Sequence, residues 1–373
     1  MRASTLATIF VCLFGRLIPA LAQEAAKPGS DNLVLDDGER LIGYVEHADE
    51  KDIVFKSNVI GEVTIKWKNV KELHTDTRLA VIPRGIRMRG KDLVAAAPQG
   101  TVSIAEDKLT VNQPSGQTRT MALGDASHIM SADSFERDLV RSAGLSEDWT
   151  GTVTAGVSLV AATQSSRTVT TAISLVRAVP PEAWLDKRHR TEVDFTSSYG
   201  TVSEPHAPTL KTNIYHASIQ RDQYFSPSAY GFAEAAFDHN FSQGLTLQQT
   251  YTGGVGWTVI SNEMTTLDLK AGVSYVHQQF LGAPDQNLIG STFSEAWLRK
   301  YRRGWTLAQH LNISPAWNNT RALLTNADAT FTMPLYKWLN FTFGASDAFL
   351  NDPAPGFKKN SFQLTTGVTY TVK

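Results

Sequence analysis

The sequence predicts an all-β chain: N-terminal tandem small β-barrel or sandwich modules, followed by a 12-stranded antiparallel transmembrane β-barrel. Three observations predict it. The last stretch, Ser361 to Val372, puts Phe362, Leu364, Val368, Tyr370 and Val372 on one parity, with Gln363, Thr365, Thr369 and Thr371 on the other. That is a strand with one apolar face, and it is long enough to cross a bilayer at a tilt, which takes roughly 9–11 residues. The same alternation recurs from Trp149 onward, where seven of the eight tryptophans lie. Charged residues make up 19% of the chain, below the roughly 25% of an ordinary soluble domain.

Met1 to Ala22 reads as a secretory signal peptide, with Arg2 as the basic start, Leu6 to Gly15 as the apolar core and Ala20-Leu21-Ala22 as the small-residue cleavage site. The only cysteine, Cys12, falls inside it. The expected mature chain therefore has no disulfide, thiolate zinc site, cysteine nucleophile or lipoprotein cysteine. No later run approaches the roughly 18 consecutive apolar residues of a helical span. A net charge of −1 argues against general nucleic-acid binding. Export, low charge and alternating strands point to the outer membrane of a Gram-negative cell.

Residues 23–30 are small and polar, a linker. Residues 31–133 hold short strands with turns: Leu33 to Leu35, the turn Asp36-Asp37-Gly38, Leu41 to Val45, Asp52 to Lys56, Glu62 to Trp67 and Val70 to Leu73. The unit recurs, since Gly43 to Val54 is echoed by Gly100 to Val111, and Glu72 to Asp76 by His128 to Asp133. Two units are too few for a solenoid and suit a pair of small modules with Trp67 as a core anchor. Residues 134–149 form a short helical connector. Asp133 to Glu136 resembles a capping box with Asp133 as N-cap, and Gly144 ends the helix.

Residues 150–373 form the barrel. The strands are carried by Val153 to Ala161, Val169 to Leu175, Thr191 to Tyr199, Leu210 to Arg221, Ala229 to Phe237, Leu245 to Trp257, Leu267 to Tyr275, Phe293 to Tyr301, Trp305 to Ile313, Leu323 to Met333, Leu339 to Ala345 and the terminal stretch. An even count brings both ends of a closed antiparallel sheet to one rim. Closure satisfies every backbone N–H and C=O in hydrocarbon, and it leaves no edge. Gly200 to Thr209, Asp238 to Gly244, His277 to Gly290 and Leu350 to Asn360 are expected as long loops at one rim. Ser261-Asn262-Glu263, Arg302-Arg303-Gly304 and Leu335-Tyr336-Lys337 are expected as tight turns at the other. Glu192, Asp194, Asp268 and Glu295 are expected opposite the apolar faces.

Leu35-Asp-Asp-Gly-Glu-Arg-Leu-Ile-Gly43, Gly61-Glu-Val-Thr-Ile-Lys-Trp67 and Leu73, ahead of a long alternating region, resemble the salt-induced outer-membrane protein family, a bacterial family of unknown function. The resemblance covers nearly all of the expected mature chain and implies an outer-membrane barrel with no established activity. The chain departs from the common terminal aromatic by ending Tyr370-Thr-Val-Lys373.

Chemistry-bearing patterns are sparse. The nine histidines show no helical metal spacing; His47, His74 and His128 read as solvated strand or turn residues. Asp36-Asp37 and Asp49-Glu50 read as turn acids, so no metal and no cofactor is expected. His216-Ala217-Ser218 puts a histidine and a serine on one face of a strand, the spacing of a nucleophile pair. It is similar to the strand motif of outer-membrane phospholipases, but Ile219-Gln220 stands where they have Asn-Gly. Tyr215, Ala217 and Ile219 read as the lipid face, which turns His216 and Ser218 into the lumen. Arg299 to Arg303, beside Trp297 and Trp305, reads as an interfacial anchor.

The chain is thus expected to be a non-enzymatic outer-membrane barrel, either a narrow channel or a structural, envelope-stress element. Residues 31–133 would lie in the periplasm, where they could dock a partner. Outer-membrane lipids and, during insertion, the barrel-assembly machinery are the other expected partners. The alternatives are a lipid hydrolase using Ser218 and His216, and a soluble exported β binding protein.

Overall fold

A computed structural model describes residues 31–86, 90–141, 144–161, 165–182, 184–203, 210–262 and 264–372. The expected signal peptide, residues 1–22, and linker, residues 23–30, lie outside the described residues, as do residues 204–209 of the Gly200 to Thr209 connection. The chain divides into two compact units between Phe135 and Glu136.

The first unit is a small barrel. Its strands are β1 (Asp31–Leu35), β2 (Arg40–Ala48), β3 (Asp52–Ser57), β4 (Gly61–Lys66), β5 (Val70–His74), β6 (Leu79–Pro83), β7 (Gln99–Ala105), β8 (Lys108–Asn112), β9 (Thr118–Ala122) and β10 (Ala126–Ser131), with helix α1 (Gly90–Ala96) before β7. The sequence repeat is present, β1 to β5 corresponding to β6 to β10. The halves do not close separately, however. Pairing runs β1-β5-β7-β6-β10-β2 and back to β1, so each half lends its last strand to the other. β5 pairs with β7, and β10 with β2, at equivalent places. Hairpins β3-β4 and β8-β9 extend from β2 and β7 in the same symmetric way. The expected pair of modules is one interlocked six-stranded barrel.

Alternation explains its core. Leu33, Val45, Ile53, Phe55, Leu73, Val102, Leu109 and Ile129 point inward and form one buried cluster. Trp67 packs half-buried at the margin of that cluster and donates Nε1 to the Asp49 carbonyl at 2.7 Å, so it seals the core without anchoring it. Asp31 is wholly buried and acts as a clasp. Its carboxylate accepts from the Val45, Asp76 and Thr77 amides at 2.9–3.1 Å and from the Thr77 hydroxyl at 2.6 Å.

At the end of β10 the helix cap is Ser131, not Asp133. Ser131 is still extended, and its hydroxyl accepts from the Ser134 amide at 3.0 Å. A short α-turn, Ala132–Ser134, then passes into a π-helical turn, Phe135–Val140.

The second unit is a closed barrel of twelve strands: β11 (Trp149–Ala161), β12 (Ser165–Val179), β13 (His189–Ser203), β14 (Leu210–Tyr224), β15 (Ala229–Asn240), β16 (Leu245–Ser261), β17 (Thr265–Phe280), β18 (Ala283–Lys300), β19 (Thr306–Pro315), β20 (Leu323–Tyr336), β21 (Leu339–Leu350) and β22 (Asn360–Val372). All neighbours are antiparallel, and β11 closes on β22 through Gly151↔Val372 to Ala155↔Val368. Every expected strand is present.

The wall is apolar outside and polar inside. Val157, Phe362 and Leu364 are more than 60% exposed, and Tyr215, Ile219, Val255, Val273, Phe293 and Phe343 share that outer face. Gln220, Asp222, Gln248, Thr252, Ser274 and Gln278 are buried inside. Trp149, Trp184, Trp257, Trp297, Trp305 and Trp338 lie toward the rim that carries the chain ends, and Trp317 lies toward the other. Tyr199, Tyr215 and Tyr275 lie toward that other rim, so both rims carry aromatics.

Three expectations are corrected here. Glu295 pairs with Leu269 and Leu311, both outward, so it belongs to the apolar outer face and not to the lumen. His277 to Gly290 is not a long loop: β17 and β18 continue through it to a two-residue turn at 281–282. Nor does connection length distinguish the rims, because the longest connections, 180–188 at the chain-end rim and 351–359 at the far rim, are equal. The tight turns at 301–305 and 337–338 are present at the chain-end rim, where Asn262 also bonds Thr265 between β16 and β17; Glu263 of that expected turn lies outside the described residues.

Candidate functional site in the lumen

Strand register places the lumen residues in layers. Asp194, Ser218, Ala236, Thr250 and Val276 are successive partners around one wall, and parity carries the rest of each strand with them. Inward carboxylates on β13 to β17 are Glu192, Asp194, Asp222, Glu234, Asp238 and Asp268. The permanent cations on the same wall are Arg190 and Lys270. Across from them, β11, β21 and β22 present hydroxyls: Thr154 and Thr342 both bond Thr369, at 2.7 and 2.5 Å.

The layer at the chain-end mouth is knotted around Arg190, the second residue of β13. Its guanidinium meets Glu192 at 3.0 Å, Asp222 on β14 at 2.7 Å and Asp268 on β17 at 2.9 Å. It also donates to the Tyr230 hydroxyl on β15 at 3.4 Å and stands 5.3 Å from that ring's centre. Gly256 makes this possible, since a Cβ there would lie 2.3 Å from the Tyr230 ring. β13 and β17 are four strands apart in the twelve-stranded order, so Arg190 ties them as a strut across one side of the lumen. A second cross-lumen contact lies beneath it: Lys270 donates to Gln220 at 2.6 Å, and Gln220 to Asp222 at 2.7 Å. Buried charges are stable only when paired and hydrogen-bonded. One oxygen here is not: Asp268, 5% exposed, uses Oδ2 for Arg190, while its buried Oδ1 has no hydrogen-bond partner. In the connection before β13, burial first and the Arg190 charge second push the Lys187 ammonium below its ordinary pKa.

Farther along the lumen a polar chain runs His216–Asp238–Gln248–Gln278, with contacts of 2.7, 3.1 and 2.8 Å. The far mouth is filled differently. Gln243, in the connection between β15 and β16, donates to the carbonyls of Ala348 and Lys359 on the opposite side of the barrel, at 2.9 and 2.7 Å. Leu245, Phe280, Leu350 and Ala354 pack around it with Phe357. One mouth thus carries a charged knot and the other an apolar cluster.

The sequence-singled residues fall as follows. His216 and Ser218 both face the lumen, and the neighbouring Tyr215 and Ile219 face out, as alternation requires. Asp238 joins His216, but among the described residues Ser218 makes no hydrogen bond to it. Asp37 and Asp49 accept from amides within their own turns. His74 is exposed; His47 and His128 are half-buried and partnered, so only the first is a solvated residue. Among the described residues no group of three or more His, Cys, Asp or Glu side chains is placed to hold a metal. Arg299 lies over the Tyr301 ring at 5.7 Å, and Trp305 packs edge-on to Phe331 at the chain-end rim. Sequence reasoning missed Arg190. Extending the alternation of Glu192 and Asp194 back by one step would have put it on the same inner face.

A family described as "Protein of unknown function, DUF481" matches residues 153–372. No curated protein matches. Among solved structures, the NanC porin is 8% identical at a TM-score of 0.37, covering 60% of this chain and 100% of its own. The β domain of the Bordetella autotransporter BrkA is 9% identical at 0.30, covering 60% and 97%. The CymD monoaromatic hydrocarbon channel is 10% identical at 0.29, covering 79% and 86%. None of these likenesses bears on what this chain does.

Proposed function

We propose that this chain, which belongs to the DUF481 family, is a non-enzymatic outer-membrane β-barrel with a narrow polar lumen, its N-terminal barrel standing in the periplasm. One observation carries the reading: the twelve-stranded wall exposes aliphatic and aromatic side chains around its outside and buries its amides, hydroxyls and charges within. In water that arrangement would leave an apolar surface far larger than a soluble monomer tolerates. In a bilayer it is the required one, because the closed sheet satisfies its backbone and meets lipid with carbon. A lumen with a charged knot at one mouth and an apolar cluster at the other suits a gated conduit or an envelope element better than an open pore.

Orientation rests on the chain ends. An exported N-terminal barrel reaches the periplasm first, and Gly151 and Val372 lie side by side at the rim it would face. The proposed partners are lipid around the wall, the assembly machinery during insertion, and an unidentified partner for residues 31–133. The salt-induced label of the resembling family is a statement about expression, tested by transcript level at low and high salt.

Membrane fractionation and heat-modifiable migration test the barrel; recovery from the soluble periplasm would sink it and favour the soluble binding protein. Single cysteines at Leu281 and Asn262 test topology with a membrane-impermeant thiol reagent on intact cells. Labelling is expected at Leu281 and not at Asn262; the reverse turns the barrel over.

The lipid hydrolase is the second reading, favoured by the His216–Asp238 contact, which orients an imidazole near Ser218. It requires an acyl substrate inside the lumen. Hydrolysis of phospholipid by the purified protein, lost in Ser218→Ala, would establish it.

A further inference from the structure

We propose that the Arg190 knot is the charge filter and gate of the lumen: held, it closes the chain-end mouth, and released, it passes small hydrated cations and turns anions back. The inference deepens the barrel reading and rests on it. Three features carry it.

First, the knot reaches into the opening and ties strands that are not neighbours. Arg190 on β13 reaches Asp268 on β17 across the three intervening strands, and Lys270 returns from β17 to Gln220 on β14 just beneath. The groups between are filled in, with Asp222 and Tyr230 wholly buried. Among the described residues at this level, Arg190–Asp268 joins the most widely separated strands, so the guanidinium is the tie whose release would loosen this mouth.

Second, the charge around it is unbalanced. Arg190, with Lys187 beside it in the preceding connection, faces Glu192, Asp222 and Asp268, and the next layers add Asp194, Glu234 and Asp238 against Lys270, so carboxylates still outnumber the permanent cations. In a narrow, low-dielectric conduit one sign of fixed charge raises the local concentration of the opposite ion by an order of magnitude or more. Third, Asp268 keeps a buried carboxylate oxygen without a hydrogen-bond donor, so the knot retains acceptor capacity that a passing cation can use.

The apolar stopper at the far mouth has to be removed to read the filter alone. The test therefore uses the full chain refolded into planar bilayers in three forms. These are the wild type, a variant with 352–358 replaced by a two-residue turn, and that variant carrying Arg190→Ala. Potassium chloride at unequal concentrations is the probe. The shortened form is expected to conduct little. Arg190→Ala added to it should raise conductance clearly, with a potassium-over-chloride permeability ratio of at least about tenfold. Arg190→Lys, which keeps one charge but not the fork, should fall between.

Full conductance in the shortened form alone would show that the knot is no constriction. Unchanged current after Arg190→Ala, or a chloride preference, would overturn the proposal as well. If Arg190→Ala does not fold, Asp222→Asn with Asp268→Asn releases the same strut without stranding a charge and must give the same opening. Heat-modifiable insertion of the wild type is scored separately. A barrel that inserts but never conducts in any form refutes the filter and leaves the membrane reading intact; a wild type that never inserts refutes that reading.

Discussion

The chain folds two closed β-barrels from the same alternating signal, and they are turned inside out relative to each other. In the small barrel Leu33, Phe55, Leu73 and Leu109 point in, and Glu46, Glu62, Thr64 and Lys66 point out. In the large one Val157, Val273, Phe343 and Leu364 point out, and Asp222, Gln248 and Gln278 point in. Size decides much of the difference. Six strands leave an interior that aliphatic side chains fill, whereas twelve enclose a width that needs long, mutually bonded polar side chains to close. The solvent outside each barrel decides the rest. Alternation therefore specifies a two-faced strand, and which face is the inner one has to be read from the surroundings.

Substitutions can break or sharpen that contrast. The largest effect is expected from Phe55→Ala, which opens a cavity in the small core and should cost about 3–5 kcal/mol. Protease sensitivity of the N-terminal barrel in the intact chain would report it. Phe343→Ala, outward in the large barrel, should cost far less, and equal losses would erase the contrast. Next comes charge on the outer wall. Val273→Arg should cost about 2–4 kcal/mol in folding into vesicles, while Thr64→Arg on the small barrel should stay within about 0.5 kcal/mol. An insensitive Val273 would mean that its face does not meet lipid.

Asp31→Ala comes third. It strands the Val45 and Thr77 amides and should cost about 1–3 kcal/mol, seen as faster hydrogen exchange at Asp76 and Thr77. The smallest effect has the opposite sign: Glu295→Leu removes a carboxylate from the apolar wall and should stabilise the inserted barrel by about 1 kcal/mol. A loss instead would show that Glu295 has a partner in the bilayer.

The large barrel was legible because twelve segments repeat one short-range signal, and register on a closed sheet leaves little else to specify. Glu295 is easily misplaced because a charge suggests the lumen, whereas its parity puts it with Phe293, Trp297 and Tyr301 on the apolar face. The turn at 281–282 was hidden because Asp285, Gln286 and Asn287 look like loop residues, although they extend the hairpin beyond the apolar band. In the small barrel the repeat was visible but its pairing was not. β5 could close on its own half or on the other by hydrophobic pattern alone, and only three-dimensional closure selects β7. The lumen knot is similarly non-local: Arg190 and Asp268 are separated by 78 positions and meet only because the barrel curves.

The exchange of strands within the small barrel also has a consequence in time. Ala48 waits for Ile129, and Leu73 for Ile104, so the first half has open edges until the second has been delivered. A chain entering a compartment from its N-terminus cannot complete this barrel until β10 has emerged, and by then the first strands of the large barrel follow close behind. Non-local pairing of this kind forms slowly. Its exposed edges invite wrong partners in the interval, so residues 31–131 become a folded domain only once β10 has paired with β2 and β6.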